Sequence, residues 1–356
     1  MHRTDALIVG GGPAGAAAAI TLACGGALPM LVERCPGERD LVCGGFLGWD
    51  AIAALKRLGL DPAQLGARPI HRLRLVAGGR TVERALPHPA AGLSRRRLDA
   101  SLLRLAEEAG TSVLRGRAAR ALEGNRIRLD DGGELEAEAL FLATGKHELR
   151  GAARDIGARP ASVGLRAALP GSASLAEALA GSIELHLYDG GYAGLLLQED
   201  GMVNLCLSVS RERMAEAASP TSLIERLAGE APLLADRIGA APDDWEAIAG
   251  VPYGWRAQAS SPGIYRVGDQ AAVIASLAGD GIAIALASGV AAAQAHLAGT
   301  GAADFQRGFA AKARRPVAIG EALRHMAEHR RERAVLMTLA KVKGAAALAA
   351  RLTRIG

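Results

Sequence analysis

Three glycines near the start of the chain have the spacing of a phosphate-binding turn. Gly10, Gly12 and Gly15 follow a short apolar run, and Pro13 and Ala14 lead from them into an Ala-rich stretch. The apolar run predicts a buried parallel strand, and the Ala-rich stretch predicts a helix. In that setting the first glycine makes the tight turn, the second lets backbone approach a pyrophosphate, and the third lets the helix pack closely on the strand. The free N–H groups at the helix start would then face phosphate oxygens.

An acidic residue follows at the separation that a ribose requires. Glu33 ends a second apolar run, eighteen residues after Gly15. A carboxylate there can accept hydrogen bonds from ribose hydroxyls and would repel a 2′-phosphate, which favours FAD or NAD over NADP as the tightly bound ligand. The alternative is a signal or membrane segment, because residues 6–32 carry no charge. Six glycines and two prolines interrupt that window and argue against a spanning helix.

Two further glycine-containing motifs occur late in the chain. Gly268 and Asp269 end a predicted strand over residues 263–267, and Gly279 and Gly281 precede another Ala-rich helix. The Asp269 carboxylate can accept hydrogen bonds from the ribityl hydroxyls of a flavin. The helix start directs N–H groups toward the flavin pyrimidine edge, which becomes anionic on reduction. The alternative role for Asp269 is capping of a surface helix.

Cysteine and histidine give weaker signals. Cys43 lies beside Gly44 in a loop rich in glycine, proline and charge. A reactive thiol needs a lowered pKa and exposure, and the alternative is a small residue at a close backbone approach. The four cysteines show no C-x-x-C pair and no metal-like spacing with histidine, so we expect no metal site and a reducing cytoplasm.

Two further groups are candidates for the substrate side. Lys146 and His147 follow Gly145 and can steer a nicotinamide phosphate or a phenolate, with a solvated loop as the alternative. Tyr253 and Trp255 stand out in a chain with 3% aromatic residues. They can form the wall of a pocket for a flat or greasy substrate, with core packing as the alternative.

The element pattern predicts an α/β fold with a Rossmann-type domain and an inserted antiparallel sheet. Between residues 160 and 255, alternating apolar runs are separated by glycine-containing turns, which is typical of antiparallel strands. We therefore predict three regions. They are a nucleotide-binding domain over 1–70, 90–155 and 256–300, a substrate-facing sheet over 71–89 and 156–255, and C-terminal helices over 301–356.

From about Ala302 the chain is predicted to be helical, with Pro316 near the start of one segment and Gly344 interrupting another. Charge is concentrated in these C-terminal helices. The net charge is +5, yet eleven Lys or Arg and only three Glu occur from Ala311 onward. The first interpretation is an amphipathic face that covers the pocket, and the second is weak contact with an anionic membrane surface. Nucleic-acid binding is disfavoured because no aromatic residues are interleaved with the charges. Half of the residues are hydrophobic, as expected for a soluble globular protein.

The sequence resembles the FAD-dependent oxidoreductases of the para-hydroxybenzoate hydroxylase fold, in particular their geranylgeranyl-reductase-like branch. It is also similar to small flavoprotein monooxygenases associated with polyketide or phenolic-lipid biosynthesis. The motifs that carry the resemblance are Gly10-x-Gly12-x-x-Gly15 with Glu33, Cys43-Gly44-Gly45-Phe46-Leu47, Arg95-x-x-Leu98-Asp99, and Val267-Gly268-Asp269 followed by Gly279-Asp280-Gly281-Ile282.

The resemblance implies a division of labour along one FAD molecule. The first three glycines and Glu33, with the neighbouring Arg34, would hold the ADP half. Arg95 would contact the ribityl–pyrophosphate region and Asp269 the ribityl chain. Residues Cys43, Gly44, Gly145, Gly281 and Ile282 would lie close to the flavin. In many relatives an Asp-Gly pair follows the middle strand, but here that position reads Ala143-Thr144-Gly145-Lys146.

The resemblance implies hydroxylation dependent on NAD(P)H. The flavin would be reduced by NAD(P)H and would pass oxygen, through a flavin hydroperoxide, to an aromatic or polyketide-type substrate. The alternative is a flavin-dependent reductase of C=C bonds in prenyl or lipid chains. An RNA-modifying flavoprotein and a non-catalytic nucleotide sensor are more distant alternatives.

Overall fold

The computed structural model describes residues 2–157 and 162–355, which contain two β-sheets with helices packed on them. The strands are β1 (His2–Val9), β2 (Met30–Glu33), β3 (Phe46–Leu47), β4 (Arg68–Ala77), β5 (Arg80–Gly92), β6 (Ser112–Arg115), β7 (Ala119–Glu123), β8 (Arg126–Leu129), β9 (Glu134–Leu142), β10 (Ser162–Leu169), β11 (Ser182–Tyr188), β12 (Gly191–Leu197), β13 (Val203–Ser210), β14 (Glu246–Val251) and β15 (Ile264–Arg266). The α-helices are α1 (Pro13–Cys24), α2 (Trp49–Arg57), α3 (Arg95–Glu108), α4 (Ala173–Leu179), α5 (Arg211–Ala217), α6 (Pro220–Glu230), α7 (Pro232–Ile238), α8 (Gly281–Leu297), α9 (Ala302–Glu328), α10 (Arg330–Leu339) and α11 (Ala345–Leu352).

The first sheet has a parallel centre. Its order is β6-β2-β1-β9, with β15 beside the end of β9, and all of these strands run in the same direction. Strands β8 and β7 extend it with antiparallel pairing. The prediction of a buried strand before the first glycine is confirmed, because Ala6, Leu7 and Ile8 are fully buried.

Small residues let α1 and α8 pack tightly beside this sheet. A Cβ on Gly15 would overlap the carbonyl oxygen of Gly10, and a Cβ on Gly289 in α8 would overlap that of Ala14. Both helices therefore approach their neighbours at backbone contact, which only glycine allows. This close packing brings the starts of α1 and α8 to the same edge of the sheet, where β1 and β15 end.

The second sheet is larger and mostly antiparallel. Its order is β14-β10-β13-β12-β11-β4-β5-β3, and only β4 and β11 pair in parallel. Helices α4 to α7 cover β10, β12 and β13 with one apolar cluster. Helices α9 and α10 contribute to a different cluster with β4, β5, β11 and β12.

The sequence-based boundaries differ from these strands in detail. Residues 46–47, 68–70 and 90–92 belong to the second sheet, although the pattern assigned them to the nucleotide-binding domain. Strand β5 extends to Gly92 and, beyond a register shift, pairs with residues 68–70 of β4. Helices α4 and α5 and strand β14 were not predicted. The division into three regions itself remains a prediction.

The C-terminal helices pack on both parts of the chain. The 27-residue helix α9 continues through Pro316, whereas the sequence predicted a helix that begins near this proline. The helix continues because residues on both sides of it, Ala313 and Val317, are buried in the core. Gly344, with φ +85°, precedes α11 as expected from its interruption of the Ala-rich pattern.

The end of the described chain is anchored beside α2 and α8. The Arg354 guanidinium contacts the fully buried Asp280 and lies 3.4 Å from Asp50. Its carbon Cζ is 4.0 Å from the centroid of the Trp49 ring. Ile355 is buried in the same core cluster as α1 and α8. Of the described helices, none has the length and apolar character needed to cross a membrane.

Candidate flavin and substrate site

A long groove runs along the carboxyl edge of the first sheet. Gly12, at the N-terminus of α1, has no side-chain cap, so the first N–H groups of the helix remain available. Across the groove lies Arg95, whose Nη2 atom is 3.4 Å from the place that a Cβ on Gly12 would occupy. Asp99, one turn later in α3, holds that guanidinium with two hydrogen bonds of 2.8 and 2.6 Å. Arg95 lies too close to Gly12 for a phosphate to fit between them, but a phosphate beside both would meet N–H donors from the helix start and from the guanidinium.

Glu33 lies at the nucleotide end of this groove. Its two carboxylate oxygens accept hydrogen bonds from the N–H groups of Gly11, at 2.7 Å, and Cys35, at 2.8 Å. These bonds orient the carboxylate and leave acceptor positions on both oxygens for ribose hydroxyls. The ribose role of Glu33 remains a prediction that fits this geometry.

His147 also lies at the nucleotide end. Its Nε2 atom is 2.6 Å from Nη2 of Arg34. Burial and the nearby guanidinium of Arg34 lower the pKa of His147, so a neutral imidazole accepts this hydrogen bond. Both residues line the nucleotide cavity, whereas Tyr253 lines the cavity at the other end of the groove. The structure thus separates His147 from the aromatic candidates.

The segment that departs from the Asp-Gly pair is tied to the second motif. Lys146 Nζ lies 3.2 Å from Asp269 Oδ2, and this carboxylate raises the pKa of Lys146. Gln270 donates a hydrogen bond to the carbonyl of Gly145 at 3.0 Å, and Arg154 donates one to the carbonyl of Asp269 at 3.1 Å. The pairing of Lys146 with Asp269 was not predictable from the sequence, because 123 positions separate the two residues.

At the end of the groove opposite to Glu33, which we call the ring end, three glycines leave the backbone uncovered by side chains. Neither Gly44, Gly145 nor Gly281 would place a Cβ within 4 Å of another atom outside its chain neighbours. The cavity at the ring end measures about 170 Å³ and that at the nucleotide end about 590 Å³, and both are lined by Gly12, Arg95, Lys146 and Asp269. Gly268, Gly279 and Ile282 also line the ring end. FAD fits this groove. Its walls are glycine backbone, two helices begin there without a side-chain cap, and the Glu33 carboxylate lies where a ribose would bind.

A buried arginine of the second sheet holds the loop around Cys43 in place. Arg166, on β10, donates hydrogen bonds to Asp40 at 2.9 Å and to Asn204 at 2.9 Å. Asn204 in turn donates a hydrogen bond to the carbonyl of Cys43 at 3.0 Å. The Cys43 side chain lines the ring-end cavity, so it remains a candidate there. Sequence reasoning missed Arg166, because an arginine on a predicted strand gives no signal of burial.

A third cavity, of about 420 Å³, opens beside the ring end. It lies between the second sheet and helices α9 to α11, and the two cavities share Gly44, Phe46, Cys206, Ser276 and Gly279. Most of its lining is aliphatic, including Leu73, Leu75, Ile183, Leu185, Leu187, Leu196, Leu323, Leu336 and Leu352. Burial raises the pKa of Cys206 to about 12, so this thiol is neutral. The C-terminal helices thus cover an apolar pocket, as the first interpretation of the tail predicted.

One polar cluster lies where the two cavities meet. The hydroxyl of Tyr192 is 2.6 Å from that of Ser276, which is 3.1 Å from the hydroxyl of Tyr253. The N–H of Leu277 donates to the Tyr192 oxygen at 3.1 Å, and burial raises the pKa of Tyr192 well above its ordinary value. The Tyr192 hydroxyl is therefore neutral, and the cluster can bind one polar group of a substrate. Trp255 instead donates to the carbonyl of Asp155 and packs in the core.

Residues 3–152 match the family model of the FAD binding domain. This part of the chain is an FAD binding domain. The predicted cofactor, FAD, and the Rossmann-type fold are therefore confirmed. No cluster of His, Cys, Asp or Glu within the described ranges is suited to hold a metal ion.

Relatives of the FAD binding domain include reductases and a monooxygenase. The chain is 33% identical over 153 residues to a menaquinone reductase of Mycobacterium tuberculosis, a match that covers 40% of this chain and 37% of that protein. The chain thus spans little more than a third of the curated relative's length. The crystal structure of PqsL, a probable FAD-dependent monooxygenase from Pseudomonas aeruginosa, superimposes with a TM-score of 0.73 at 21% identity, over 95% of this chain and 100% of PqsL.

A geranylgeranyl bacteriochlorophyll reductase-like protein from Thermoplasma acidophilum has the same fold. Its TM-score is 0.76 at 18% identity, with coverage of 98% of this chain and 96% of that one. The resemblance to FAD-dependent oxidoreductases is confirmed by the family match, and the fold shared with the Thermoplasma acidophilum protein agrees with the geranylgeranyl-reductase-like branch. NAD(P)H as reductant and the individual site residues remain predictions.

Proposed function

We propose that the chain is an FAD-dependent monooxygenase that hydroxylates an aromatic ring carrying a long apolar chain, with NAD(P)H as reductant. One observation carries this proposal. A cluster of three hydroxyls, formed by Tyr192, Ser276 and Tyr253, lies where the aliphatic cavity meets the flavin end of the groove, and Ser276 lines both cavities. A phenolic head can bind this cluster while its tail occupies the cavity, and burial of the tail contributes about 0.8 kcal/mol per CH₂ group.

The residues around the cavity would orient the head and exclude water. FAD, when bound and reduced, supplies the electrons and activates O₂. The aliphatic side chains keep the reacting carbon dry, and the Tyr192–Ser276–Tyr253 cluster fixes which ring position faces the flavin. The overall reaction converts an aromatic C–H, O₂, NAD(P)H and a proton into C–OH, water and NAD(P)⁺.

A reductase of C=C bonds is the second candidate. It is favoured by the sequence match to a menaquinone reductase and by the same aliphatic cavity, which would accept a prenyl chain. Such a reaction adds two hydrogen atoms to the alkene and consumes no O₂. In that reaction an alkene of the chain, rather than an aromatic head, would lie against the flavin.

A series of resorcinols with methyl, pentyl, decyl and pentadecyl chains tests the proposal. We expect NAD(P)H oxidation and O₂ consumption to rise together, KM to fall with chain length until the cavity is full, and the product to gain one oxygen atom. Tyr192→Phe should raise KM for these phenols and uncouple NAD(P)H oxidation from hydroxylation, because the ring remains but the hydroxyl is lost. Turnover of a prenylated quinone under nitrogen, with a gain of two hydrogens, would establish the reductase instead.

A further inference from the structure

The C-terminal helices expose an unusual concentration of apolar side chains. Of the described residues, seven large hydrophobic ones are exposed, and four of these lie on α10, α11 and the link between them. They are Val335, Leu339, Val342 and Leu348, each with about half of its surface accessible to solvent. Val335 and Leu339 are one helical turn apart, so they lie on the same face of α10. We call the face formed by these four residues the tail surface.

Basic residues surround the tail surface without acidic partners. Lys341 and Lys343 flank Val342 in the link, and Arg330, Arg331 and Arg351 lie on α10 and α11. All five side chains are exposed, and within residues 2–157 and 162–355 none forms an ion pair. Other arginines of the same segment are paired: Arg333 contacts Asp189. Five exposed cations without an ion pair therefore lie on the same helices and link as the tail surface.

The tail surface continues into the substrate cavity. Leu339 and Leu348 are exposed to solvent and also line the cavity, one from α10 and the other from α11. The cavity therefore reaches the surface between these two helices, at the edge of the tail surface. An apolar chain in the cavity would emerge beside exposed aliphatic groups and free cations.

We propose that the tail surface docks on an anionic phospholipid bilayer, and that the apolar chain of the substrate enters from the bilayer between α10 and α11. Exposed aliphatic side chains can enter the headgroup region, while Lys and Arg contact phosphate groups and anionic lipids. An acidic protein partner would complement the basic residues, but it would not explain why the cavity opens at the tail surface. Nucleic acid is disfavoured because the tail surface carries no aromatic side chain for stacking on bases.

Sedimentation of the FAD-loaded protein with vesicles tests the docking directly. We expect binding to vesicles that contain phosphatidylglycerol, weak binding to pure phosphatidylcholine, and release by salt. The variant Lys341→Gln/Lys343→Gln should bind anionic vesicles about twentyfold more weakly, since each cation near the surface contributes roughly fivefold to binding. Leu348→Gln should also weaken binding.

A matched control removes the same kinds of side chain elsewhere. Leu28→Gln with Arg128→Gln changes two exposed residues next to and within the first sheet, and should leave vesicle binding unchanged. Equal binding by the tail-surface variants and wild type would overturn the proposal. So would a wild-type protein that stays in the supernatant, or a dimer that the tail-surface variants abolish.

Vesicle binding needs no turnover, so it is independent of the reaction proposed above for the cavity. Failure of the phenol assay would leave the docking result intact, and failure of sedimentation would leave the hydroxylation result intact. If both proposals hold, anionic vesicles should raise the turnover of long-chain phenols and leave that of the methyl compound unchanged.

Discussion

Removal of the Arg354 guanidinium should destabilise the protein through Asp280. This carboxylate is fully buried at the start of α8, and the Arg354 side chain that contacts it is 10% exposed. The substitution Arg354→Met preserves most of the aliphatic volume but leaves a buried carboxylate without its cation. Breaking a buried ion pair in this way costs about 3–5 kcal/mol. Solvent hardly reaches either group, so screening by water and salt does not reduce this free-energy cost.

The expected shift in Tm follows from the size of the chain. Unfolding entropy is about 2.1 cal/mol/K per residue, or roughly 0.75 kcal/mol/K for the whole chain, so the loss corresponds to about 4–7 °C. Thermal unfolding of the FAD-loaded protein, followed by calorimetry, measures this shift. Arg351→Met is the matched control, because Arg351 is exposed and unpaired in the described structure. It should change Tm by less than about 1 °C.

A double substitution separates the ion pair from general packing. Arg354→Met with Asp280→Asn removes both charges, so most of the lost stability should return. If Arg354→Met unfolds within about 1 °C of wild type, or if the double variant is no more stable than the single one, the buried ion pair does not anchor the tail. Absorbance of bound FAD, measured in parallel, reports whether the flavin groove survives.

Three further predictions concern the two sheets and the groove. Gly15→Ala should lower the free energy of unfolding by about 1–3 kcal/mol, because its Cβ would overlap the carbonyl of Gly10. Gly308→Ala, in open space on α9, should raise it by about 0.5–1 kcal/mol. Urea unfolding measures both. Glu33→Ala should weaken FAD retention by about 1–3 kcal/mol in equilibrium dialysis, with turnover in saturating FAD little changed. Burial raises the pKa of Glu184, but hydrogen bonds from His186, Arg237 and Arg74 lower it to about 2 overall. The free energy of unfolding of the wild type should therefore fall by about 3 kcal/mol between pH 4.5 and 2, through protonation of Glu184. This part of the decrease should be absent from Glu184→Gln, as unfolding measured at a series of acidic pH values would show.

The nucleotide half of the site was predictable because its signals are local. Gly10, Gly12 and Gly15 specify a turn between a strand and a helix, and Glu33 ends the next strand of the same unit. Each of these signals needs only neighbouring residues, and the structure has the expected elements. Pro316 misled the prediction for a related reason, since local propensity cannot anticipate that tertiary packing carries α9 through a proline.

The substrate half was not predictable, because its contacts join distant parts of the chain. Tyr192 and Ser276 meet across 84 positions, and Lys146 meets Asp269 across 123. Tyr192 stands in no motif that would mark it, and the position of Lys146 after Gly145 does not indicate Asp269 as its partner. For Trp255 the sequence left a pocket wall and core packing open, and the structure places it in the core.

The contact between the Arg354 region and the α2 region has a consequence for synthesis of the protein. At translation rates of about 5–20 residues per second, Trp49 leaves the ribosome roughly 15–60 s before Arg354. Strand β15, which pairs with the centre of the first sheet, is also made late. During that interval β9 lacks its partner strand β15, and the early elements lack the cover of the final helices. The nascent chain must therefore be kept from aggregating, and we expect FAD to be captured after translation has passed Arg354 rather than while the N-terminal half is being made.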